Sequence, residues 1–298
     1  MKALYICGPT ASGKSSLALT LAEQLNGEVV NADAFQLYRG LETIAASPSL
    51  AEQETLPHHL YSVLDVTETL DANRYRQIAL PVIAEIQSRG KVPLIVGGSG
   101  LYLKFLTHGP SPIPPGDPAI RAELDTLSIA ELLARLRELD PDEAESINQQ
   151  NRRYLTRSLE LCLLTGKPVS QLRSDWKQED PPDLQGLYLD WPRDELVTRI
   201  EQRTAAMLAE GALEEVANLP EEATTAAKAI GIPEIQAHLA GKMTLAQTAE
   251  RITISTRQYA KRQRTWFKKE SWLQPLQRNE VPDSLSKQLF GFDIGETK

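Results

Sequence analysis

Residues 8–16, GPTASGKSS, decide the fold. The apolar run Ala3-Leu4-Tyr5-Ile6-Cys7 precedes them, and SLALTLAEQL, an amphipathic helical pattern, follows. Strand, glycine-rich turn and helix stand in the order of a phosphate-binding loop, G-x-x-x-x-G-K-[ST], with Gly8, Gly13, Lys14 and Ser15 at its fixed places. The chemistry accounts for the spacing. Glycines let successive backbone N–H groups curl round an anion. The helix start adds partial positive charge. Lys14 brings a mobile cation, and the Ser15 hydroxyl can ligate Mg²⁺. The loop alone does not say which phosphorylated molecule it holds.

Short β-rich runs at 3–7, 28–32 and 92–96 alternate with helical patterns at 15–25 and 73–89. This rhythm predicts an α/β fold, a P-loop NTPase-like parallel sheet wrapped by helices. Ligands in such sheets bind at the carboxyl ends of the strands. The P-loop, Asp33 and the turn Gly97-Gly98-Ser99-Gly100 are therefore expected on one rim. A further strand is predicted at 187–191, followed by one long helix from about 193 to 219. A Pro/Gly-rich hinge at 109–118 and a strand-free helical texture over 119–173 point to an insertion. The expected organisation is a discontinuous core of 1–110 and 186–278, a helical insertion of 111–185, and a weakly structured tail of 279–298.

The composition is that of a globular chain: 298 residues, 41% hydrophobic and 24% charged. A net charge of -8 argues against non-specific nucleic-acid affinity of the whole surface. Cys7 and Cys162 stand far apart and form no C-x-x-C pair, which argues against a disulfide framework or a zinc site and suits a reducing compartment. No apolar run approaches the roughly 18–20 residues of a membrane span. No signal peptide is read at the start. The expectation is a cytoplasmic protein without membrane contact, and nothing suggests an obligate oligomer, so a monomer is expected.

Basic residues are nonetheless concentrated. From Arg251 to Lys269 there is no acid, and Arg257, Lys261, Arg264 and Lys268 share one helical face, with Arg262 beside them. Ile252, Tyr259 and Trp266, seven apart, are expected to face the core. Arg152, Arg153 and Arg157 begin a second group that continues through Lys167, Arg173 and Lys177. Two such patches suit a polyanion, with each phosphate contact adding salt sensitivity; a solvated helix face is the plainer alternative. The strand at 92–96 ends in Gly97-Gly98-Ser99, where many P-loop enzymes have a metal-binding Asp. The acid at the rim is Asp33, either a general base or a turn residue. Ser99 either orients the same nucleophile or caps a helix.

These blocks together resemble the bacterial tRNA dimethylallyltransferases, also called tRNA isopentenyltransferases. The likeness runs from about residue 4 to 270 through GPTASGKSS, NADAFQLYRGL (31–41), PHHLYSVLD (57–65), VGGSGLYLKFL (96–106), NRRYLTRSLELCLLTGKPVS (151–170), PRDELVTRIEQRTAAMLAEGALEEV (192–216) and TRQYAKRQRTWF (256–267). The resemblance implies transfer of a dimethylallyl group from dimethylallyl diphosphate to the exocyclic amine of the adenine 3′-adjacent to the anticodon, releasing diphosphate. It implies Mg²⁺ as cofactor and the tRNA anticodon stem-loop as partner. Asp33 then looks like the catalytic base, with Ser99, standing where Thr is usual, beside it. Gly8, Pro9, Thr10, Ala11, Ser12, Gly13, Lys14 and Ser15 look like the diphosphate cradle, with Lys228 near it and Ser15 on the metal. Asp33, Ala34, Phe35, Gln36, Ser99, Arg121, Arg153 and Arg157 fall in the RNA-contacting blocks, and Arg257, Lys261, Arg262 and Arg264 lie on the basic helix.

The chain departs from the family pattern in places. Ala45 and Ser47 replace the usual Thr and Lys, Ala34 replaces the Ser after the base, and Gly231-Ile232-Pro233 stands where Gly-Tyr and a basic residue are usual. A tRNA-binding homologue without catalysis, a small-molecule kinase and a prenyl transfer to free adenine nucleotides are the competing readings.

Overall fold

The computed structural model describes residues 2–110, 114–175 and 184–276. Lys177 and the expected tail at 279–298 lie outside those residues. The chain divides into two compact units, Met1–Thr107 with Asp180–Lys298, and His108–Glu179.

The first unit opens with β1 (Leu4–Cys7), α1 (Lys14–Leu25), β2 (Gly27–Asn31), α2 (Glu42–Ala45), α3 (Leu50–Thr55) and β3 (His58–His59). It continues with α4 (Ala72–Ser88), β4 (Val92–Gly97) and α5 (Gly100–His108). The second unit holds α6 (Pro118–Asp125), α7 (Ile129–Leu139), α8 (Pro141–Ser146), α9 (Arg152–Thr165) and α10 (Val169–Asp175). The chain then returns to the first unit with β5 (Gln185–Leu189), α11 (Arg193–Ala209), α12 (Ala212–Ala217), α13 (Ile232–Leu239), α14 (Leu245–Phe267) and β6 (Leu273–Leu276).

The sheet has six strands in the order β3-β2-β4-β1-β5-β6. Every pairing is parallel, with Cys7 opposite Gly97 and Tyr188, and Asn31 opposite Val96. The central strands alternate in the faces they bury. Leu4, Ile6, Val29, Leu94 and Leu187 pack with Leu17 and Leu21 of α1. Tyr5, Val30, Ile95 and Tyr188 join a larger cluster with Tyr75 and Ile86 of α4, Leu103 of α5 and Ile252 and Phe267 of α14. Helices thus cover both faces, as an all-parallel sheet requires. The helical unit has its own core, built on Leu124, Leu132, Leu136, Leu155 and Leu159.

Several elements differ from the reading of the sequence. The single long helix expected over 193–219 is two, because Gly211 takes φ 118° and caps the start of α12. Two edge strands went unread: β3 has only two residues, and β6 is Leu-Gln-Pro-Leu, with no alternating pattern. Trp266 is exposed rather than a core residue, whereas Ile252, Ala260, Gln263 and Phe267 of α14 are buried. A straight helix drifts about 20° per seven residues, so a strict heptad leaves the buried stripe within two repeats.

Candidate active site

Parallel strands place the ends of β1, β2, β4 and β5 on one rim. Helix α1 begins there in an unusual state. Its N-cap is Gly13 in a left-handed conformation, φ 86°, with no side-chain cap. Helices α3, α7 and α14 close their starts with Ser or Thr capping boxes. The first N–H groups of α1 are therefore left for an anion. Ser15 is exposed in that first turn.

The loop before α1 is pinned from outside. Trp191 Nε1 donates to the Ser12 carbonyl at 2.7 Å, and Arg199 Nε to the Ala11 carbonyl at 2.6 Å, with its guanidinium 4.5 Å over the Trp191 ring. Arg203 Nη1 donates to Thr10 Oγ1 at 2.8 Å. The Thr10 N–H is taken by Gln263 Oε1 at 2.8 Å, so it points away from the cradle's open end. Pro9 has no N–H, and its carbonyl accepts from Lys14 Nζ at 2.9 Å. The Ser12 N–H donates to the Pro9 carbonyl at 3.2 Å, so phosphate donors must come from Ala11 and residues 13–15.

Asp33 follows β2 directly. The Ala32 N–H extends the ladder by donating to the Val96 carbonyl at 2.7 Å, and the chain then turns. Asn31 closes the turn from within: Oδ1 accepts the Asp33 N–H at 2.7 Å, and Nδ2 donates to the Asp33 carbonyl at 3.2 Å and the Leu60 carbonyl at 2.9 Å. Asp33 Oδ1 accepts the Phe35 N–H at 3.1 Å. Asp33 is thus a turn residue, and its side chain also lines a cavity. Ser99 Oγ accepts the Ala34 N–H at 3.1 Å, which ties the turn after β4 to the turn after β2. No side chain fits at Gly97, where a Cβ would overlap the Ala32 backbone.

That cavity, about 230 Å³, is lined by Thr10, Asp33, Phe35, Ile44, Ala45, Met207, Ile252 and Tyr259, with Arg203, Lys228 and Arg262 as its cations. Three charged donors and an apolar wall suit an anion with a hydrocarbon tail. Burial pushes the Lys14 ammonium down to about 8; the Asp33 carboxylate opposes the shift and Arg203 adds to it. Burial likewise lowers Arg203, against the pull of Asp33. An anion in this loop would relieve both.

The structure separates the remaining expected contacts. Ala34 and Phe35 lie at the rim, but the Gln36 amide is occupied, donating to the Ala46 carbonyl at 2.8 Å and the Ala45 carbonyl at 3.2 Å. The departing segment at 42–47 is thereby held in place, and Glu215 caps it through Thr43 N–H at 2.6 Å and Ile44 N–H at 2.9 Å. Ile232 is fully buried at the start of α13, and Pro233 occupies its first turn. Arg257 and Lys261 are exposed along a groove with Arg193. Arg264 is paired within the protein: its Nη2 lies 2.8 Å from Asp190 Oδ1, and Lys268 reaches Oδ2 at 3.2 Å. In the helical unit, Arg121 and Arg157 both bind the fully buried Glu160, whereas Arg153 is exposed. Arg199, Arg203, Gln263 and Asp190 went unread because they reach the loop or the basic helix from far along the chain. The spacing of Arg199 and Arg203, one helical turn apart after a strand, was the available signal.

The IPP transferase family model matches residues 36–270. The chain belongs to that family. A tRNA dimethylallyltransferase of Akkermansia muciniphila is 42% identical over 96% of this chain and 97% of its own length. One of Geobacter sulfurreducens is 42% identical over 96% of this chain and 94% of its own. Among solved structures, a full-length tRNA isopentenylpyrophosphate transferase of Bacillus halodurans superposes with a TM-score of 0.68 at 31% identity, covering 97% of this chain and 93% of that one. A eukaryotic dimethylallyltransferase acting on tRNA superposes with a TM-score of 0.76 at 28% identity, covering 97% of this chain and 76% of that one.

Proposed function

We propose that this protein modifies tRNA by prenyl transfer. It moves a dimethylallyl group from dimethylallyl diphosphate to the exocyclic amine of the adenine 3′-adjacent to the anticodon, and releases diphosphate. The observation that carries the reading is the convergence of Asp33, Arg203, Lys228 and Thr10 of the P-loop on one partly apolar cavity, with the charge of Lys14 at the uncapped start of α1 felt by Asp33 and Arg203. The family membership and the names of the relatives support it.

The chemistry follows from the residues. The N–H groups at the start of α1, with Lys14 and Arg203, hold the diphosphate and stabilise the charge it gains as the allylic C–O bond breaks. The apolar wall holds the five-carbon group and excludes water, which would otherwise capture the carbocation-like carbon. The adenine amine forms the new C–N bond, and Asp33 accepts the proton that the nitrogen sheds. Ser99, hydrogen-bonded to the Ala34 N–H, keeps the Asp33 turn and the β4 turn at a fixed distance. The adenine reaches this rim by leaving its stack, at a cost of a few kcal/mol.

Mg²⁺ suits the donor set available, the exposed Ser15 hydroxyl and diphosphate oxygens, all hard oxygen ligands. When bound it supplies positive charge to the leaving group. The exposed Arg257, Lys261, Arg262 and Arg153 would contact the anticodon stem-loop, and the protein would act as a monomer in the cytoplasm. No helix among the described residues is long and apolar enough to cross a membrane.

The test is incubation with labelled dimethylallyl diphosphate, Mg²⁺ and unmodified tRNA carrying adenines after the anticodon, without ATP. Label confined to that adenine is the expected result. Tight, salt-sensitive tRNA binding without transfer would overturn the catalytic reading and leave an RNA-binding homologue.

A further inference from the structure

Gln263 sits in the middle of the basic helix α14, yet it is 4% exposed and both ends of its amide are engaged. Its Oε1 accepts the Thr10 N–H at 2.8 Å, and its Nε2 donates to the Gly98 carbonyl at 3.0 Å. The first partner belongs to the donor loop and the second to the turn that carries Ser99. A Cβ at Gly98 would displace the Gln263 amide nitrogen, so the absence of a side chain there lets the amide reach the turn. One turn earlier, Tyr259 reaches the side chains of both Ser99 and Gln263. Of its charged neighbours, Lys261 is exposed along the groove with Arg257, and Arg262, also exposed, lies over the Tyr259 ring at the edge of the cavity.

We infer that Gln263 is a positioning residue that fixes the spacing between the diphosphate loop and the acceptor turn. This inference rests on the reading of the two sites given above. The loop holds the carbon under attack through its leaving group. The Ala34–Ser99 bond holds Asp33, which takes the proton from the attacking amine. Transfer requires the two to meet at bonding distance, and Gln263 hydrogen-bonds the backbone of both loop and turn. A primary amide both accepts and donates with fixed geometry and carries no charge. Because the same helix presents Arg257 and Lys261 along the outer groove, an RNA held there bears directly on the spacing.

The inference is tested with the full chain by measuring kcat, KM for each substrate and the melting temperature of Q263L and Q263E. Leucine keeps the bulk and removes both hydrogen bonds. Q263L is expected to lose about 10- to 100-fold in kcat, the scale of an ångström-level misplacement, with KM for tRNA within about two-fold of wild type. The carboxyl group introduced by Q263E accepts from Thr10 but, when ionised, cannot donate to Gly98. Burial raises the pKa of that group, so protonation at mildly acidic pH restores the missing donor. The kcat of Q263E relative to wild type at the same pH should rise about ten-fold between pH 8 and 6. A structural role alone would move the melting temperature and leave that pH ratio flat. The ratio carries the test even if Q263L does not fold. Wild-type kcat in a folded Q263L, or a flat ratio for Q263E, overturns the inference. Absence of transfer by the wild-type chain overturns the proposed function first, and this inference with it.

Discussion

Glu28 and Asp33 bracket the same strand, β2, and the fold treats them in opposite ways. Glu28, at the strand's start, is fully buried. Arg89 grips it with Nη1 at 2.6 Å and Nη2 at 2.8 Å, Lys91 lies at 2.7 Å, and His59 at 2.7 Å. The Arg89 bonds hold its carboxyl far below the usual range; burial opposes this, and Lys91 and His59 reinforce it. Asp33, past the strand's end, has cations close by that bind elsewhere: Lys14 donates to Pro9 and Arg203 to Thr10. At the first end every charge is satisfied within the protein, and the result fastens β3 and α4 to the sheet. At the second the balance is left incomplete, and a ligand can complete it. Charge alone therefore does not mark a site. Glu160, bound by Arg121 and Arg157 in the helical unit, belongs with Glu28.

The sharpest way to break this comparison is Asp33→Asn. The amide oxygen can still accept the Phe35 N–H, so the turn should persist and the melting temperature should stay near wild type. The amide cannot take a proton, and single-turnover transfer should slow by about 10²- to 10⁴-fold. An unimpaired rate would remove Asp33 as the base.

Glu28→Gln should do the converse. It leaves Arg89, Lys91 and His59 without their anion, but they are 39%, 30% and 26% exposed and can turn to water. A loss of about 2 kcal/mol is expected, below the roughly 3–5 typical of a fully buried pair. Transfer by the folded protein should not change. The folded-state carboxyl is depressed, so its contribution is complete above the unfolded pKa of about 4.3 and fades as pH falls below it. Urea melts of wild type and variant should therefore converge on acidification. Parallel curves would show that the cluster contributes nothing through its charge.

At the loop the expected effect is about ten-fold per pH unit. Lys14 sits near 8 in the free protein. A bound diphosphate favours the ammonium, so donor binding takes up a proton once the pH exceeds that value. kcat/KM for the donor should fall above about pH 8, by about ten-fold for each unit. Lys14→Arg should abolish that limb, because a guanidinium stays charged throughout.

What the sequence made legible was local. The P-loop, the acid after the second strand and the Gly-Gly-Ser turn each occupy a few consecutive residues, and the parallel-sheet rule gathers them on one rim. What it hid acts across the chain. Gln263 meets Thr10 over a separation of 253 residues, and Arg203 meets it over 193. Nothing near Gln263 in sequence distinguishes it from its charged neighbours. The charge pattern of α14 identified a basic face and not that Asp190 holds two of its members. In α9, Arg153 and Arg157 read alike as basic residues, although Glu160 stands one turn from Arg157 and pairs with it.

That last pair allows the finest test. Arg153 is exposed, while Arg157 also donates to the Pro114 carbonyl at 2.7 Å. If open charge is what meets RNA, Arg153→Ala should lower the slope of log affinity against log salt by about 0.7–0.9, the contribution of one phosphate contact. Its melting temperature should stay unchanged. Arg157→Ala should leave the slope nearly intact and instead destabilise the helical unit, because it removes one of the two arginines on a buried carboxylate. Filter-binding titrations with tRNA from about 50 to 200 mM salt, beside thermal melts, separate the two. A slope that falls with Arg157 and not with Arg153 would mean that the Glu160 pair opens when RNA arrives, and the division between charge that builds and charge that binds would not hold in this unit.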